Sequence, residues 1–307
     1  MKWIKNGHLY LVDGVEKWCI SHCQLPFILT LSDSIIRVYF SSRNKSNQSH
    51  TLWVDIDISK LPWKIVNEAD YPVLVPGLFG TFDDCGAMGS CIVKHEEQIY
   101  MYYTGWNLGQ SNLFRLSIGL AISNDGGTTF NKISNGPLMD RNLVDPYLLG
   151  SPCVIYDGHL WRMWYVSGQK WELASNGYKH FYHIRYAISK DGLSWERGGR
   201  VCIDFKNEYE YAIARPCVIF NNGVFCMWYS YRASKDNESY RIGYAESEDG
   251  ENWTRLDEKV GIDVSANGWD SKMVCYPWVF KNNDQICLLY NGNDYGKTGF
   301  GYAVMVE

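Results

Sequence analysis

The chain has 307 residues, 46% of them hydrophobic and 21% charged, and a net charge of −5 at pH 7. That length and apolar fraction suit a large globular fold and exclude a disordered or low-complexity chain. The acidic balance without a Lys/Arg run excludes a nucleic-acid-binding surface, and no run of about 18 apolar residues exists to span a membrane.

The first residues, MKWIKNGHLYLVDG, lack the apolar core and small-residue cleavage site of a secretory signal and show a strand-like pattern instead. Without an export signal, the ten cysteines are expected to be reduced and the protein cytoplasmic. No cysteine spacing matches a metal site, so neither metal nor cofactor is expected. Cys91, Cys153 and Cys217 fall in apolar strand patterns and read as small buried residues.

From Leu25 onward one unit recurs. It begins as LPFILTLSDSIIRVYFSSR and returns as GSCIVKHEEQIYMYYTGW from Gly89 and SPCVIYDGHLWRMWYVSG from Ser151. It returns again as RPCVIFNNGVFCMWYSYR from Arg215 and YPWVFKNNDQICLLYNGN from Tyr276. Each copy is a short apolar strand, a polar turn and a second strand ending in aromatics. Anchored at Pro26, Ser90, Pro152, Pro216 and Pro277, the copies lie 61 to 64 residues apart. A third strand follows each: HTLWVDID, LSIGLAIS, HIRYAIS, YRIGYAES and GFGYAVM. A turn and a fourth strand complete the pattern.

Five four-stranded antiparallel units, with no helical periodicity, predict an all-β fold. They point to a single five-bladed β-propeller domain over residues 1–307. The last unit ends after its third strand. The N-terminal segment is therefore expected to supply the missing strand and close the ring.

The turns after the third strands carry their own signature: SNDGGTTF from Ser123, SKDGLSW from Ser189 and SEDGENW from Ser247. The first fits the Asp-box pattern S-x-D-x-G-x-T-F, and the others are one residue shorter. Their aspartates are expected to accept turn N–H groups and to be structural.

In such a ring, the loops into strand one share a face with the loops between strands two and three. The latter are long: SSRNKSNQSH, GWNLGQSNLFR, SGQKWELASNGYKHFYH, SYRASKDNESYR and NGNDYGKTGF. Long loops on one side of a rigid scaffold are the expected binding face. An acid precedes strand one in four units: Asp84 beside Asp83, Asp145, Glu210 and Asp270, each six or seven residues before its anchor. Taken singly, each aspartate reads as a turn former. As a set they read as a ring of carboxylates, whose mutual repulsion asks for a function or for cations. Arg43, Arg115, Arg215 and Arg232 are expected near the same rim. The first unit departs, offering His22 and Gln24 in SHCQLP.

The segment FDDCGAMGS resembles the F-D-x-x-G-x-x-S-G-S stretch of invertase-like enzymes, and VDP at Val144 resembles their R-D-P with Val in place of Arg. On these motifs and the repeat, the whole chain resembles the five-bladed propeller glycoside hydrolases. That group spans arabinanases and xylosidases, invertases and levansucrases, and mannoside phosphorylases. The resemblance implies Glu210 as general acid, Asp145 as the residue that tunes it and orients the sugar, and Asp84 or Asp270 as base or nucleophile. The expected cytoplasmic residence suggests a small glycoside, a sugar phosphate or an activated sugar as substrate rather than a polymer.

Trp106, Trp171, Tyr182, Trp269 and Tyr276 are candidates to bind or stack on sugar. His22, His183 and the rim arginines, Arg215 included, are candidates to hold an anion. Three activities stay open: glycoside hydrolysis, phosphorolysis using an Arg/His anion site, and glycan binding without turnover.

Overall fold

The computed structural model describes residues 1–174, 177–233 and 237–306. The chain is nearly all β-structure. It opens with β1 (Trp3–Tyr10) and then lays down four units of four strands. The first holds β2 (Ser21–Thr30), β3 (Ile35–Arg43), β4 (Ser49–Asp57) and β5 (Lys64–Glu68). The second holds β6 (Gly86–His95), β7 (Gln98–Leu108), β8 (Phe114–Ser123) and β9 (Asn131–Lys132). The third holds β10 (Leu149–Tyr156), β11 (Trp161–Ala174), β12 (Gly177–Ser189) and β13 (Val201–Ile203). The fourth holds β14 (Glu210–Asn221), β15 (Val224–Ala233), β16 (Asn237–Ser247) and β17 (Thr254–Arg255). The fifth has three strands of its own, β18 (Cys275–Asn282), β19 (Gln285–Asn291) and β20 (Phe300–Met305).

Within every unit neighbouring strands are antiparallel. A single parallel pairing links the first unit to the second (Ser49 with Gly86), and another links the third to the fourth (Tyr182 with Ala212). The fifth sheet runs β1-β20-β19-β18, so the N-terminal strand is its fourth, as the sequence led us to expect. The first strands pack in a cycle: β2 on β6, β6 on β10, β10 on β14, β14 on β18, and β18 on β2. The result is a propeller-like arrangement. Among the described residues no helix is long and apolar enough to cross a membrane.

The aromatic ends of the second strands build the core. Successive side chains on a strand face opposite ways, so each residue pair feeds two interfaces. Tyr39 packs toward the second unit and Phe40 toward the fifth. Tyr102 and Tyr103, Trp164 and Tyr165, Trp228 and Tyr229, and Leu289 and Tyr290 divide in the same way. Five apolar layers result, one between each pair of adjacent units.

The first residue of the pair also reaches the next unit's turn. Tyr39 Oη donates to Gly127 O, Tyr102 Oη to Gly192 O and Trp164 Nε1 to Gly250 O. The fifth unit has no such turn, because its fourth strand comes from the other end of the chain. There Trp228 Nε1 is buried without a partner, and Trp3 of β1 packs edge-on against Trp228 instead.

The three signature turns are locked as expected. Asp191 accepts the N–H groups of Leu193 and Ser194, Asp249 those of Glu251 and Asn252, and Asp125 those of Thr128 and Thr129. The backbone bonds from Ser194 and Leu193 hold the Asp191 carboxyl down at about 2. A carboxylate depressed in the folded state stabilises above its unfolded pKa, and that contribution fades as pH falls through the folded value. We therefore expect acid unfolding to steepen as pH falls from about 4 to about 2, and Asp191→Asn to flatten that limb in a pH series of thermal melts. Unchanged limbs would count against the turn's role.

Cys153 and Cys217 are buried as expected, and their sulfurs accept N–H groups from the next unit's inner strand, from Val218 and Val279. All ten cysteines are unpaired thiols.

Candidate functional site

A cavity of about 480 Å³ opens where the inner strands meet. Every unit lines it. The first supplies Gln24 and Arg43, the second Thr104 and Trp106, the third His180 and Tyr182, the fourth Arg232 and Tyr240, and the fifth Tyr276 and Tyr295.

The inner strands are shaped to make room. Just before the anchors, Leu25, Ser151, Arg215 and Tyr276 adopt φ between 46° and 58°, and each inner strand carries a register shift there. A bulge at this point turns extra backbone and side chains toward the axis. The turn Asn293–Gly296 is left-handed as well, with φ of 54° at Asp294 and 58° at Tyr295. Non-glycine residues in that region cost roughly 1–3 kcal/mol each. The turn is braced by Asn293 Oδ1, which accepts from the N–H groups of Lys272 and Met273. Its effect is to set Tyr295 Oη 2.8 Å from an Nη of Arg232.

Arg232 sits in a cage of phenols, with its guanidinium over the rings of Tyr211 and Tyr240. Burial lowers its pKa, but Tyr240, Tyr182, Tyr295 and Tyr211 outweigh burial and raise it. The hydroxyls of Tyr182 and Tyr240 bond to each other, and burial raises both phenols above the usual value. Arg43 donates from Nε to Gln24 Oε1 and from Nη1 to Asn47 Oδ1, and burial lowers its pKa. Among the described residues, the buried Nδ1 of His180 has no partner. Desolvation, aided by Arg232, pushes it down to about 4, so it is neutral near pH 7. Desolvation and then Arg43 hold His22 at about 4, beside the cavity rather than in its lining.

Gln24, Arg43, Trp106, Tyr182, Arg232 and Tyr276, expected at the site, do come together there. The four expected acids do not: no carboxylate lines the cavity among the described residues. Each is engaged elsewhere, and two of them, Asp145 and Asp270, share one construction. Asp145, wholly buried, accepts from Tyr165 Oη (3.0 Å), Ser167 Oγ (2.7 Å), Arg185 Nη1 (3.2 Å) and Arg197 Nη1 (3.1 Å). Asp270 accepts from Tyr290 Oη (3.0 Å) and Lys5 Nζ (2.7 Å). In the second unit the clamp falls to Asp83, which takes Tyr103 Oη (3.0 Å) and Lys132 Nζ (2.6 Å). Its neighbour Asp84 accepts from the N–H of Gly80. In the fourth unit Arg255 bridges Glu210 and Asp257, and Asp257 takes the Tyr229 hydroxyl.

Each clamp ties the loop before strand one to a tyrosine of strand two and a cation of the outer edge. The tyrosine reaches across strand three over a glycine. A Cβ at Gly119 would lie 2.2 Å from Tyr103, and one at Gly243 would lie 2.5 Å from Tyr229. In the third unit Arg185 takes the glycine's place, opposite Tyr165, and itself bonds Asp145. The first unit has Phe40 in place of the tyrosine, with no hydroxyl to hold. Cys19, seven residues before Pro26, is buried there in an apolar layer.

Other expected residues also lie outside the lining. Arg115 is exposed on β8. His183 bonds Asp204 and accepts from Arg185 Nε. Trp269 packs on His8 and Tyr290. Arg215 is wholly buried between the inner strands, donating to the carbonyls of Ser90 and Pro26. Trp171 stands one contact back, against Phe114 and His180, which do line the cavity. It stands there because the stretch expected as a long loop after Ser167 continues β11 and β12 as a hairpin, pairing Trp171 with His180. The alternation in YKHFYH, which puts His180 and Tyr182 on one face, is the signal for these two lining residues. His180, Tyr240 and Tyr295 were not among the candidates.

No family model matches the chain. Two proteins of Mycobacterium tuberculosis resemble it along nearly its whole length. MT1551, an uncharacterized protein, is 41% identical over 305 residues, and Rv1502, also uncharacterized, is 40% identical over 305 residues. Each alignment covers 99% of this chain and 99% of the relative. Among solved structures, a glycoside hydrolase superposes with a TM-score of 0.74 at 15% identity, covering 98% of this chain and 90% of that one. A thermostable family-43 glycoside hydrolase gives 0.65 at 17% identity, covering 94% and 90%. A Bombyx mori beta-fructofuranosidase in complex with sucrose gives 0.64 at 15% identity, covering 93% and 61%. The fold is thus one shared with glycoside hydrolases.

Proposed function

We propose that this chain, which belongs to the family of the Mycobacterium tuberculosis proteins MT1551 and Rv1502, is a five-bladed β-propeller of the glycosidase-like kind that takes a small saccharide in its central cavity. The observation that carries this is the cavity itself. All five units contribute to its wall, its volume suits a small ligand, and its lining mixes flat rings with hydrogen-bonding groups. Trp106, Tyr182, Tyr276 and Tyr295 offer faces and edges for a pyranose or furanose ring, and Gln24, Thr104 and Arg43 offer partners for hydroxyls. The cyclic packing of the inner strands and the fold shared with glycoside hydrolases support the same reading.

Hydrolysis by paired acids needs two carboxylates facing one glycosidic bond, roughly 5–9.5 Å apart. Asp84, Asp145, Glu210 and Asp270 are engaged outside the cavity wall, so we assign them to the scaffold. Glycan binding without turnover is the second reading, favoured by a lining free of carboxylates among the described residues.

Calorimetric titration with a panel of mono- and disaccharides tests the proposal, followed by a turnover assay on the sugars that bind. Trp106→Ala is expected to weaken binding about tenfold or more, and Glu210→Gln to leave it unchanged. Saccharide affinity that is indifferent to Trp106 would sink the proposal. Turnover by the wild type would select the enzyme over the binding module.

A further inference from the structure

Charge around the cavity is not balanced. Away from the cavity and the inner strands beneath it, this chain pairs well-buried cations with acids: Arg37 with Asp55, Lys132 with Asp83, Arg185 and Arg197 with Asp145, and Arg255 with Glu210 and Asp257. At the cavity, among the described residues, it does not. Among the described residues Arg43 donates only to the neutral oxygens of Gln24 and Asn47. Among the described residues Arg232 meets only phenols, those of Tyr295 and Tyr182, and its buried Nε has no partner. The Nδ1 of His180, in the same wall, also has none. Arg215, buried between the inner strands, is met only by backbone carbonyls, and its Nε too lacks a partner.

An uncompensated cation in a desolvated site is costly, and the cost is relieved when an opposite charge arrives with good hydrogen bonds. A neutral sugar would leave the Arg232 fork half used. A planar or tetrahedral oxyanion suits it, because guanidinium groups bind carboxylate and phosphate through parallel N–H bonds. Tyr295, held by its strained turn, fixes the fork in place before any ligand arrives.

We propose that the cavity binds a sugar that carries its own oxyanion, a carboxylate or a phosphate ester, with that charge met by Arg43 and Arg232. This rests on the saccharide reading above and narrows its substrate class. The sugar ring then lies against Trp106 and the tyrosines.

The test is a titration of matched ligands at fixed ionic strength: glucose, galactose and mannose, their 6-phosphates, glucuronate and galacturonate, and inorganic phosphate alone. We expect at least one charged sugar to bind about tenfold or more tighter than both its neutral parent and inorganic phosphate. We expect Arg43→Gln and Arg232→Gln each to remove most of that preference. Arg232 braces a phenol cage, so its variant is first checked by thermal melting. Arg43, with only neutral partners, keeps the test independent of folding.

Phosphate esters outbinding uronates, or the reverse, would name the oxyanion. The inference is overturned if no charged sugar outbinds its neutral parent, if the preference survives both substitutions, or if inorganic phosphate binds as tightly as the sugar phosphates. Tight binding of neutral sugars alone would overturn it while leaving the saccharide reading intact. Absence of binding by every sugar, charged or neutral, would remove both.

Discussion

Asp145→Ala is expected to destabilise the protein by about 3–5 kcal/mol, the cost of removing one partner from a buried ion pair and leaving the other charge stranded. The carboxylate is wholly buried and holds two arginines, a phenol and a serine hydroxyl. Its loss would strand Arg185 and Arg197, which are themselves only 13% and 14% exposed. A loss of that size is a large part of the stability of a typical domain. Asp145→Asn keeps the shape but not the charge and should fall between wild type and Ala. Urea denaturation monitored by tryptophan fluorescence provides the measurement. A funnel acid devoted to catalysis behaves in the opposite way: its removal relieves repulsion, leaves the midpoint unchanged or raised, and abolishes turnover. A wild-type midpoint for Asp145→Ala would therefore return Asp145 to the list of catalytic candidates.

Removal of residues 1–10 is expected to be more damaging still. It takes away β1, the partner of β20, and with it Trp3, which is 8% exposed and packs against Trp228. Truncating a buried Trp to Ala alone costs roughly 3–5 kcal/mol. It also takes away Lys5, the cation of Asp270. Lys5 stands opposite Ala303, as Lys132 stands opposite Ala121 and Arg255 opposite Ala245. The N-terminal strand thus fills the same structural role as the outer strands of the second and fourth units. We expect the truncated chain to be insoluble or to melt far below the full chain. A synthetic peptide covering residues 1–12 should raise the melting temperature when added back. A truncated chain that melts like the full one would show that β1 does not close the fifth unit.

Much of this architecture was legible in the sequence. The recurrence of the aromatic pairs, from RVYF to LLYN, marks the second strands, and their alternation feeds both neighbouring layers. The missing fourth strand of the fifth unit pointed to WIKNGHLY, and β1 is that strand. The acids were visible as a set but not as clamps, since their partners lie on other strands. Asp83 and Tyr103, Asp145 and Tyr165, and Asp270 and Tyr290 are each separated by the same 20 residues. The glycines of LSIGLAIS and YRIGYAES clear the path for the tyrosine. Where Phe40 replaces tyrosine, no acid is needed, which accounts for SHCQLP. The cavity wall was less legible because it depends on bulges and a left-handed turn. The positive φ at Leu25, Tyr276, Asp294 and Tyr295 falls on residues that are not glycine and so do not announce it. The hairpin carrying Trp171 and His180 was hidden because its tip looks like a polar loop.

The pairing of β1 with β20 has a consequence for how the molecule is made. Trp3 faces Met305 across the sheet, so β1 waits for β20, which is synthesised long after it. Four units can assemble during synthesis, while the fifth stays open until β20 has emerged. Contacts that distant in sequence form slowly. In the interval the edge of β20 is a template for any matching strand, and at high concentration the nearest match is the N-terminus of another copy. Refolding from dilute solution should thus favour self-closure, while refolding from concentrated solution should trap dimers that have exchanged their N-terminal strands.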